Sequence, residues 1–188
     1  MDNKHKIISA AIKLFGSKGY NAVGVQNIVD DAGITKPTLY YYFGSKEGLL
    51  QASLKSKAEP LVESLKKEAE YNGDLPMTLD KIFSLYFNFA HNNKDFFRLI
   101  LALHFTPPES PEYKIASEIH QEQFVIIEKM FKKASEQHGN MRNRHTMYAM
   151  TLMGFINNYI GIALSGYANI DDSLRRKAIH QFQHGIYS

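Results

Sequence analysis

The sequence contains no cysteine among its 188 residues. This absence excludes disulfide frameworks, thiolate zinc sites and cysteine nucleophiles, and it fits a reducing cytosol. The N-terminal segment MDNKHKIISAAIKLFG has neither the uninterrupted apolar run nor the small-residue cleavage site of a secretory signal. We therefore expect a cytoplasmic protein.

The sequence also lacks a long uninterrupted hydrophobic run. Its most apolar stretch extends from Met147 to Leu164 and is interrupted by Thr151, Asn157 and Asn158. Polar groups of this kind disfavour a membrane span, so a membrane-anchored protein is the weakest interpretation and we expect no membrane partner.

Charge of one sign is scarce as well. The 22 Lys and Arg residues exceed the 19 Asp and Glu residues by only three. This excess is too small to indicate nucleic-acid binding by itself, so any argument for DNA must rest on a motif. No HExxH, P-loop, GxSxG or GxGxxG motif is present, and we therefore expect neither an enzyme nor a bound cofactor.

What the sequence does contain is helical periodicity. Apolar residues are 44% of the chain and charged residues 22%, as in ordinary globular proteins. Long tracts between the six prolines show helical spacing, and no alternating run of strand length appears. We predict an all-α fold of about nine helices, with Gly16 and Gly19 marking the end of the first. The predicted helices cover about 3–18, 25–32, 36–42, 46–71, 76–92, 95–105, 112–138, 144–166 and 171–186.

These helices divide into two parts. Residues 1–45 hold the first three predicted helices, and residues 46–188 hold the other six. The plainest loop is TPPESP at 106–111, because prolines cannot continue a helix throughout it. We predict a small head at 1–45 and a larger helical body at 46–188.

The head carries the most informative motif. Residues 25–43 read VQNIVDDAGITKPTLYYYF, which is typical of two short helices joined by a turn at Gly33. Glycine tolerates the positive φ that such a turn requires. The pattern favours a helix-turn-helix, although a plain helical hairpin contains the same elements. The apolar residues that would fill the space between the crossing helices are Ile28, Val29, Ala32, Ile34 and Leu39.

The second helix of the motif is short and rich in polar and aromatic side chains. Thr35 is placed to cap its N-terminus, and Pro37 fits its first turn, where a missing N–H does no harm. The three consecutive tyrosines at 40–42 span about 300° of a helix, so all three cannot be buried. Exposed phenols and hydroxyls beside a lysine suit phosphate and base-edge contacts, and we expect this helix to enter a major groove.

Three segments in this order, IISAAIKLFGSKGY, IVDDAGITKPTLYYYF and GSKEGLL, resemble the DNA-binding head of the TetR family of bacterial transcriptional regulators. The resemblance covers about residues 5–50. It implies double-stranded operator DNA as a partner and a phosphate-contacting lysine at Lys46. The operator-facing positions that it implies are Thr35, Lys36, Pro37, Thr38, Tyr40, Tyr41 and Tyr42.

Two positions depart from the family pattern. The second helix of the family usually starts with Ser or Thr, whereas Gly24 stands there in this chain and offers no hydroxyl. Tyr42 stands where many members have His, and its ring can pack while its hydroxyl reaches a phosphate. We therefore leave Gly24 out as a side-chain contact and keep Tyr42 as a candidate.

The body contains a predicted helix with small residues on one face. Gly154, Gly161 and Ser165 would let another helix approach closely, either within the chain or from a second copy. The resemblance implies the second option, with the last two helices pairing in a homodimer. A two-fold dimer places its recognition helices about 34 Å apart to contact a palindrome.

The body is also expected to bind a ligand. Aromatic residues are frequent in the middle of the body, which is typical of a core, although polar groups on apolar tracts can mark a cavity. The resemblance implies a small-molecule pocket, for which the candidate residues are Tyr86, His104, Phe124 and Asn157. His180 and His184 have the spacing of a metal-binding pair, but the sequence supplies no third ligand and we predict no metal site.

We therefore expect a ligand-responsive, dimeric transcriptional regulator. Following the commoner habit of the family, we expect a repressor that a small-molecule inducer releases from a palindromic operator. The alternative is a small helical enzyme, or a lipid or ligand carrier, whose head does not bind DNA.

Overall fold

The computed structural model describes residues 2–185 and is all-α in that range. The predicted fold class and the number of helices are confirmed for these residues. A single 3-10 turn, Gly139–Met141, separates the seventh and eighth helices. The helices are α1 (Asn3–Lys18), α2 (Val25–Ala32), α3 (Lys36–Phe43), α4 (Lys46–Glu68), α5 (Leu75–Asn92), α6 (Lys94–His104), α7 (Pro111–Ala134), α8 (His145–Leu164) and α9 (Asp172–His184).

Two predicted helix ends are wrong. α4 stops at Glu68 and not at 71, and α7 stops at Ala134 and not at 138. Both differences involve Tyr71, which is buried. Its hydroxyl lies 2.9 Å from Oε1 of Gln137 and 3.1 Å from Nε2 of His138. The segments that follow α4 and α7 are therefore joined to each other by these side chains.

The chain forms two compact units. Residues 2–59 and 93–119 make up the first, and residues 60–92 and 120–185 make up the second. α4 passes from the first unit to the second at Pro60, and α7 does so after residue 119. The predicted boundary after residue 45 concerns function, and it stays a prediction.

The first unit is organised around α1. The predicted apolar face of this helix, Ile8, Ala11, Ile12 and Phe15, is buried, and α1 packs against α2 and α6. Gly16 lies inside the helix, so the prediction that it marks the helix end is wrong. A Cβ atom there would stand 2.3 Å from the carbonyl oxygen of Asp95, so glycine permits the close approach of α6.

The second unit contains a polar contact within an aromatic interior. α5 packs against α8 and α9, and Phe83 and Phe182 lie with ring centroids 6.1 Å apart. Tyr86 is buried and donates a hydrogen bond of 2.6 Å to Oε1 of Gln123. Burial raises the pKa of Tyr86, so its phenol stays protonated and remains a donor at neutral pH.

α8 is unusual for its apolar character. Among the described helices it alone is long and apolar enough to span a membrane, with a mean hydropathy of 1.2 and 28% of its most apolar stretch buried. Core helices of globular proteins meet the same criterion, so this is weak evidence for a span. The low burial nevertheless shows that this chain alone leaves much of α8 uncovered.

The close approach at Gly16 generates a stability prediction. We expect Gly16→Ala to lower the free energy of unfolding by about 1–3 kcal/mol, because the new methyl group meets a backbone carbonyl that cannot swing aside. Urea unfolding measures the change. Gly139→Ala is the control, since its Cβ atom would meet no neighbour within 4 Å. An equal effect in both variants would contradict the packing argument.

Candidate nucleic-acid interface

The turn between α2 and α3 has the predicted geometry. Gly33 lies in the left-handed region at φ 64° and ψ 42°. The N–H of Ile34 donates to the carbonyl of Val29 at 3.0 Å, which closes the turn. Because a side chain at this φ would be strained, glycine sets the direction in which α3 leaves the turn.

The start of α3 differs from the expectation in one detail. Thr35 occupies the N-cap position and Pro37 lies in the first turn, as predicted. The Thr35 hydroxyl does not cap the backbone, however, and lies 2.9 Å from the hydroxyl of Thr38. The side chain of Thr35 therefore leaves the first-turn amides of α3 uncapped. Uncapped amides at a helix N-terminus favour a negatively charged group such as phosphate.

α3 has a single buried side chain. Leu39 is fully buried, as are Ile28 and Val29 of the neighbouring α2. In contrast, Tyr41 is 82% exposed and packs only its edge against Tyr42, with ring centroids 5.3 Å apart. The predicted contact residues therefore lie on the exposed part of one rigidly held helix. Those exposed are Thr35, Lys36, Pro37, Tyr40, Tyr41 and Tyr42, with Thr38 half-buried.

The N-terminus of α2 is capped even though Gly24 has no side-chain hydroxyl. Oδ1 of Asn27 accepts a hydrogen bond of 2.9 Å from the N–H of Gly24. The N-cap backbone is therefore satisfied by a side chain in the first turn of the helix. That Gly24 makes no side-chain contact with DNA stays a prediction.

The junction of α3 and α4 fixes the position of Lys46. Oγ of Ser45 accepts from the N–H of Gly48 at 2.9 Å and caps α4. A Cβ atom on Gly48 would lie 2.2 Å from the carbonyl oxygen of Phe43, so the two helix ends touch through backbone. Lys46 is thereby held at the first residue of α4, directly after the exposed helix.

The ammonium group of Lys46 rests on an aromatic surface. It lies 4.2 Å from the ring centroid of Tyr20 and 5.9 Å from that of Phe15. Burial lowers the pKa of Lys46, and the negative charge of Glu112 opposes that shift. Burial also raises the pKa of Tyr20, with further contributions from Glu112 and Glu47. In this structure the predicted phosphate-contacting lysine is in contact with its own protein.

Sequence reasoning missed the hydrogen bond that joins two residues near Lys46. Asn21 and Glu112 are 91 positions apart, yet Nδ2 of Asn21 donates to Oε1 of Glu112 at 3.2 Å. In the sequence, Glu112 resembles any acidic residue in the first turn of a helix. No sequence signal indicates that it meets the segment after α1.

The four predicted ligand residues fall in different places. Tyr86, Phe124 and Asn157 belong to the second unit, whereas His104 belongs to the first. Tyr86 is buried, Phe124 and Asn157 are half-buried, and His104 is exposed at the end of α6, with its ring edge-on to Phe105. Their role as a pocket stays a prediction.

The second unit contains an open cleft of about 310 Å³. None of the four predicted ligand residues lines it. Its polar rim includes Arg175, whose Nη1 lies 2.6 Å from Oδ1 of Asp80, and His91, whose Nδ1 lies 3.2 Å from the Ile170 carbonyl oxygen. These polar groups are engaged with one another. The residues that line the cleft are Phe87, Asn88, His91, Ile170, Asp171, Asp172 and Arg175.

The two predicted metal-spaced histidines do lie side by side. The rings of His180 and His184 are 4.6 Å apart on the exposed face of α9. Within residues 2–185, no group of three or more His, Cys, Asp or Glu side chains is arranged to hold a metal ion.

Known bacterial regulators are similar to this chain. Residues 7–53 match the profile of the bacterial regulatory proteins of the tetR family. The chain is 27% identical over 154 residues to the HTH-type transcriptional activator FasR of Mycolicibacterium smegmatis, an alignment that covers 81% of this chain and 68% of FasR. It is 32% identical over 115 residues to the HTH-type transcriptional regulator YerO of Bacillus subtilis, which covers 60% of this chain and 39% of YerO.

A solved structure extends the similarity beyond the matched head. The transcriptional regulator FadR from Bacillus subtilis, in complex with stearoyl-CoA, superposes with a TM-score of 0.82 at 18% identity. The superposition covers 97% of this chain and 99% of FadR. At this level of identity the likeness shows a common fold.

Proposed function

We propose that this chain, whose residues 7–53 match the profile of the bacterial regulatory proteins of the tetR family, is a dimeric, ligand-responsive repressor that binds a palindromic operator through α3. The relatives are transcriptional regulators, and the enzyme alternative is therefore set aside. The observation that carries the proposal is the exposed face of α3, which is rigidly held and has no role in the core.

α3 has the dimensions and the chemistry for a major groove. Of its eight residues Leu39 alone is buried and Thr38 and Phe43 are half-buried, so the exposed Lys36, Pro37 and the three tyrosines are available for DNA. The uncapped amides and Lys36 at its start suit phosphates, and the hydroxyls and phenols that follow suit base edges and thymine methyl groups. Lys46, at the start of α4, would add a contact with the phosphate backbone of the DNA. Such phosphate contacts make the affinity strongly salt-dependent.

The exposed face of α8 supports dimerisation. Met147 is 64% exposed and Met150 is 58% exposed, and Ile162, about three turns after Met150, is also exposed. Gly154 and Asn158 lie between them on the same exposed face. An apolar stripe interrupted by a glycine suits close packing against a second helix better than contact with lipid, which does not hydrogen-bond an asparagine. We propose that a second copy of α8, together with α9, covers this stripe.

We propose that the ligand is a long-chain acyl-CoA or a related acyl compound. FadR, which shares the fold, was crystallised with stearoyl-CoA, and the second unit of this chain has an aromatic interior that suits an acyl chain. Tyr86, His104, Phe124 and Asn157 remain the candidate contacts. A ligand that weakens operator affinity 100-fold requires about 2.7 kcal/mol of coupling, within the usual range for allosteric proteins.

The direction of regulation is a separate matter. FasR is an activator, so family membership permits either sign. We propose repression because a ligand that lowers operator affinity then switches transcription on without a further contact to polymerase. We place the protein in the cytoplasm, where its operator would be.

The DNA-binding proposal is tested with one tyrosine and a matched control. We expect Tyr41→Ala to weaken binding to the DNA upstream of the protein's own gene by about 1–3 kcal/mol, because the exposed ring loses its base or phosphate contact. Fluorescence anisotropy with a labelled duplex measures the affinity. Tyr167→Ala is the control, since Tyr167 is 84% exposed but lies in the second unit. Equal affinities of both variants and wild type would refute the assignment of α3.

The dimer proposal is tested at Gly154. We expect Gly154→Arg to give a folded monomer, because a long charged side chain at an open position in one chain prevents a second helix from approaching. Sedimentation velocity measures the mass, and circular dichroism checks the fold. Gly139→Arg, also at an open position, should stay dimeric. A dimeric Gly154→Arg protein would place the interface elsewhere.

A further inference from the structure

The ammonium group of Lys46 can interact with either of two partners. One is the operator phosphate of the proposed function, and the other is present in the structure. The Lys46 ammonium lies over the ring of Tyr20 at 4.2 Å, and Tyr20 in turn packs edge-on against Phe15 with ring centroids 5.1 Å apart. Phe15 is buried in the first unit, so this aromatic surface is rigid.

A carboxylate completes the surroundings of Lys46. Glu112, in the first turn of α7, is only 8% exposed. It accepts the hydrogen bond of Asn21, the residue that follows Tyr20 in the chain. Its negative charge acts on both Lys46 and Tyr20. A carboxylate that is so little exposed is stabilised by a nearby positive charge. Lys46 carries such a charge over the ring of Tyr20, the residue next to Asn21, without forming a direct ion pair with Glu112.

We propose that Glu112 is a positioning residue that holds the Lys46 ammonium against the Tyr20 ring and competes for it with the operator phosphate. The proposal rests on the proposed function, in which Lys46 contacts the DNA backbone. A lysine side chain carries one charge on a flexible stem. When Lys46 moves onto a phosphate, Glu112 remains poorly solvated and loses its compensating charge. This loss lowers the operator affinity.

Lys46 and Glu112 come from segments of the first unit that are far apart in the sequence. Lys46 begins α4 two residues after the DNA-facing helix, whereas Glu112 is the second residue of α7 and follows the TPPESP segment. A shift of the first turn of α7 would therefore change how firmly Lys46 is held. Glu112 thus sets the operator affinity from a position that touches no DNA.

The test removes the charge and keeps the shape. Glu112→Gln retains the oxygen that accepts from Asn21, so the fold should persist. We expect this variant to bind the duplex upstream of the protein's own gene about 3- to 10-fold more tightly than wild type, the scale of a partly buried charge contact. Glu118→Gln, which makes the same change at an exposed position of α7, should alter the affinity less than 2-fold. Unchanged or weaker binding by Glu112→Gln would overturn the proposal.

A double-mutant cycle establishes whether Glu112 acts through Lys46. In a Lys46→Met background, Glu112→Gln should have no further effect on affinity. The same gain in both backgrounds would mean that Glu112 repels the phosphates directly, which would overturn the positioning role.

A measurement without DNA separates this proposal from the proposed function. In ¹³C-methyl NMR of reductively methylated lysines, the ring of Tyr20 should shift the Lys46 signal upfield, and Glu112→Gln should move it toward the signals of exposed lysines. An unmoved signal overturns the proposal even if DNA binds. A wild-type protein that binds no duplex, with a signal that moves as expected, instead refutes the proposed function and the competition with phosphate.

Discussion

The DNA-facing surface depends on the burial of Leu39, which holds α3 in place. A helix of eight residues is too short to be stable alone in water. α3 persists because Leu39 is enclosed beside Ile28 and Val29 of α2, with Gly33 setting the angle between the two helices. Leu39 is the one fully buried side chain of α3, and the three tyrosines beside it are exposed. Stability and recognition are thereby assigned to different faces of the same short helix.

The remaining elements give that helix a fixed platform. α1 packs closely on α6 through Gly16, and the start of α4 touches the end of α3 through Gly48. These backbone contacts leave little room for α3 to move relative to its immediate neighbours. In the proposed dimer the exposed apolar side chains of α8 join two copies of the chain, each of which presents one α3. Each half of a palindromic operator is then bound by the same set of contacts, made once by each copy of the chain.

The sequence predicted the features that depend on local patterns. Helical periodicity located all nine helices within the described residues, and the glycine of the turn and the position of the N-cap at Thr35 follow from chain stereochemistry. The features that it could not predict depend on contacts across long separations. Gly16 resembles a helix-ending glycine until α6 is seen against it, and Tyr71 is bonded to a side chain that follows α7.

The candidate site shows the same division. The exposed face of α3 could be predicted, because three adjacent tyrosines cannot all be buried and because Leu39 completes an apolar pattern. The contact between Asn21 and Glu112 could not, since 91 residues separate them and neither is unusual in its local segment. The candidate ligand residues are chosen by residue type alone, and a pocket is defined by residues from several helices. Tyr86, for example, is engaged by Gln123 of a different helix.

Selection of bound sequences from a pool of random duplexes reveals how two copies of α3 dock on DNA, and the operator need not be identified beforehand. If α3 of two subunits enters successive major grooves, the enriched sequences will be inverted repeats. Their half-sites will be separated by about one helical turn or a multiple of it. Enrichment of a single asymmetric site, or no enrichment at all, is incompatible with paired docking of α3.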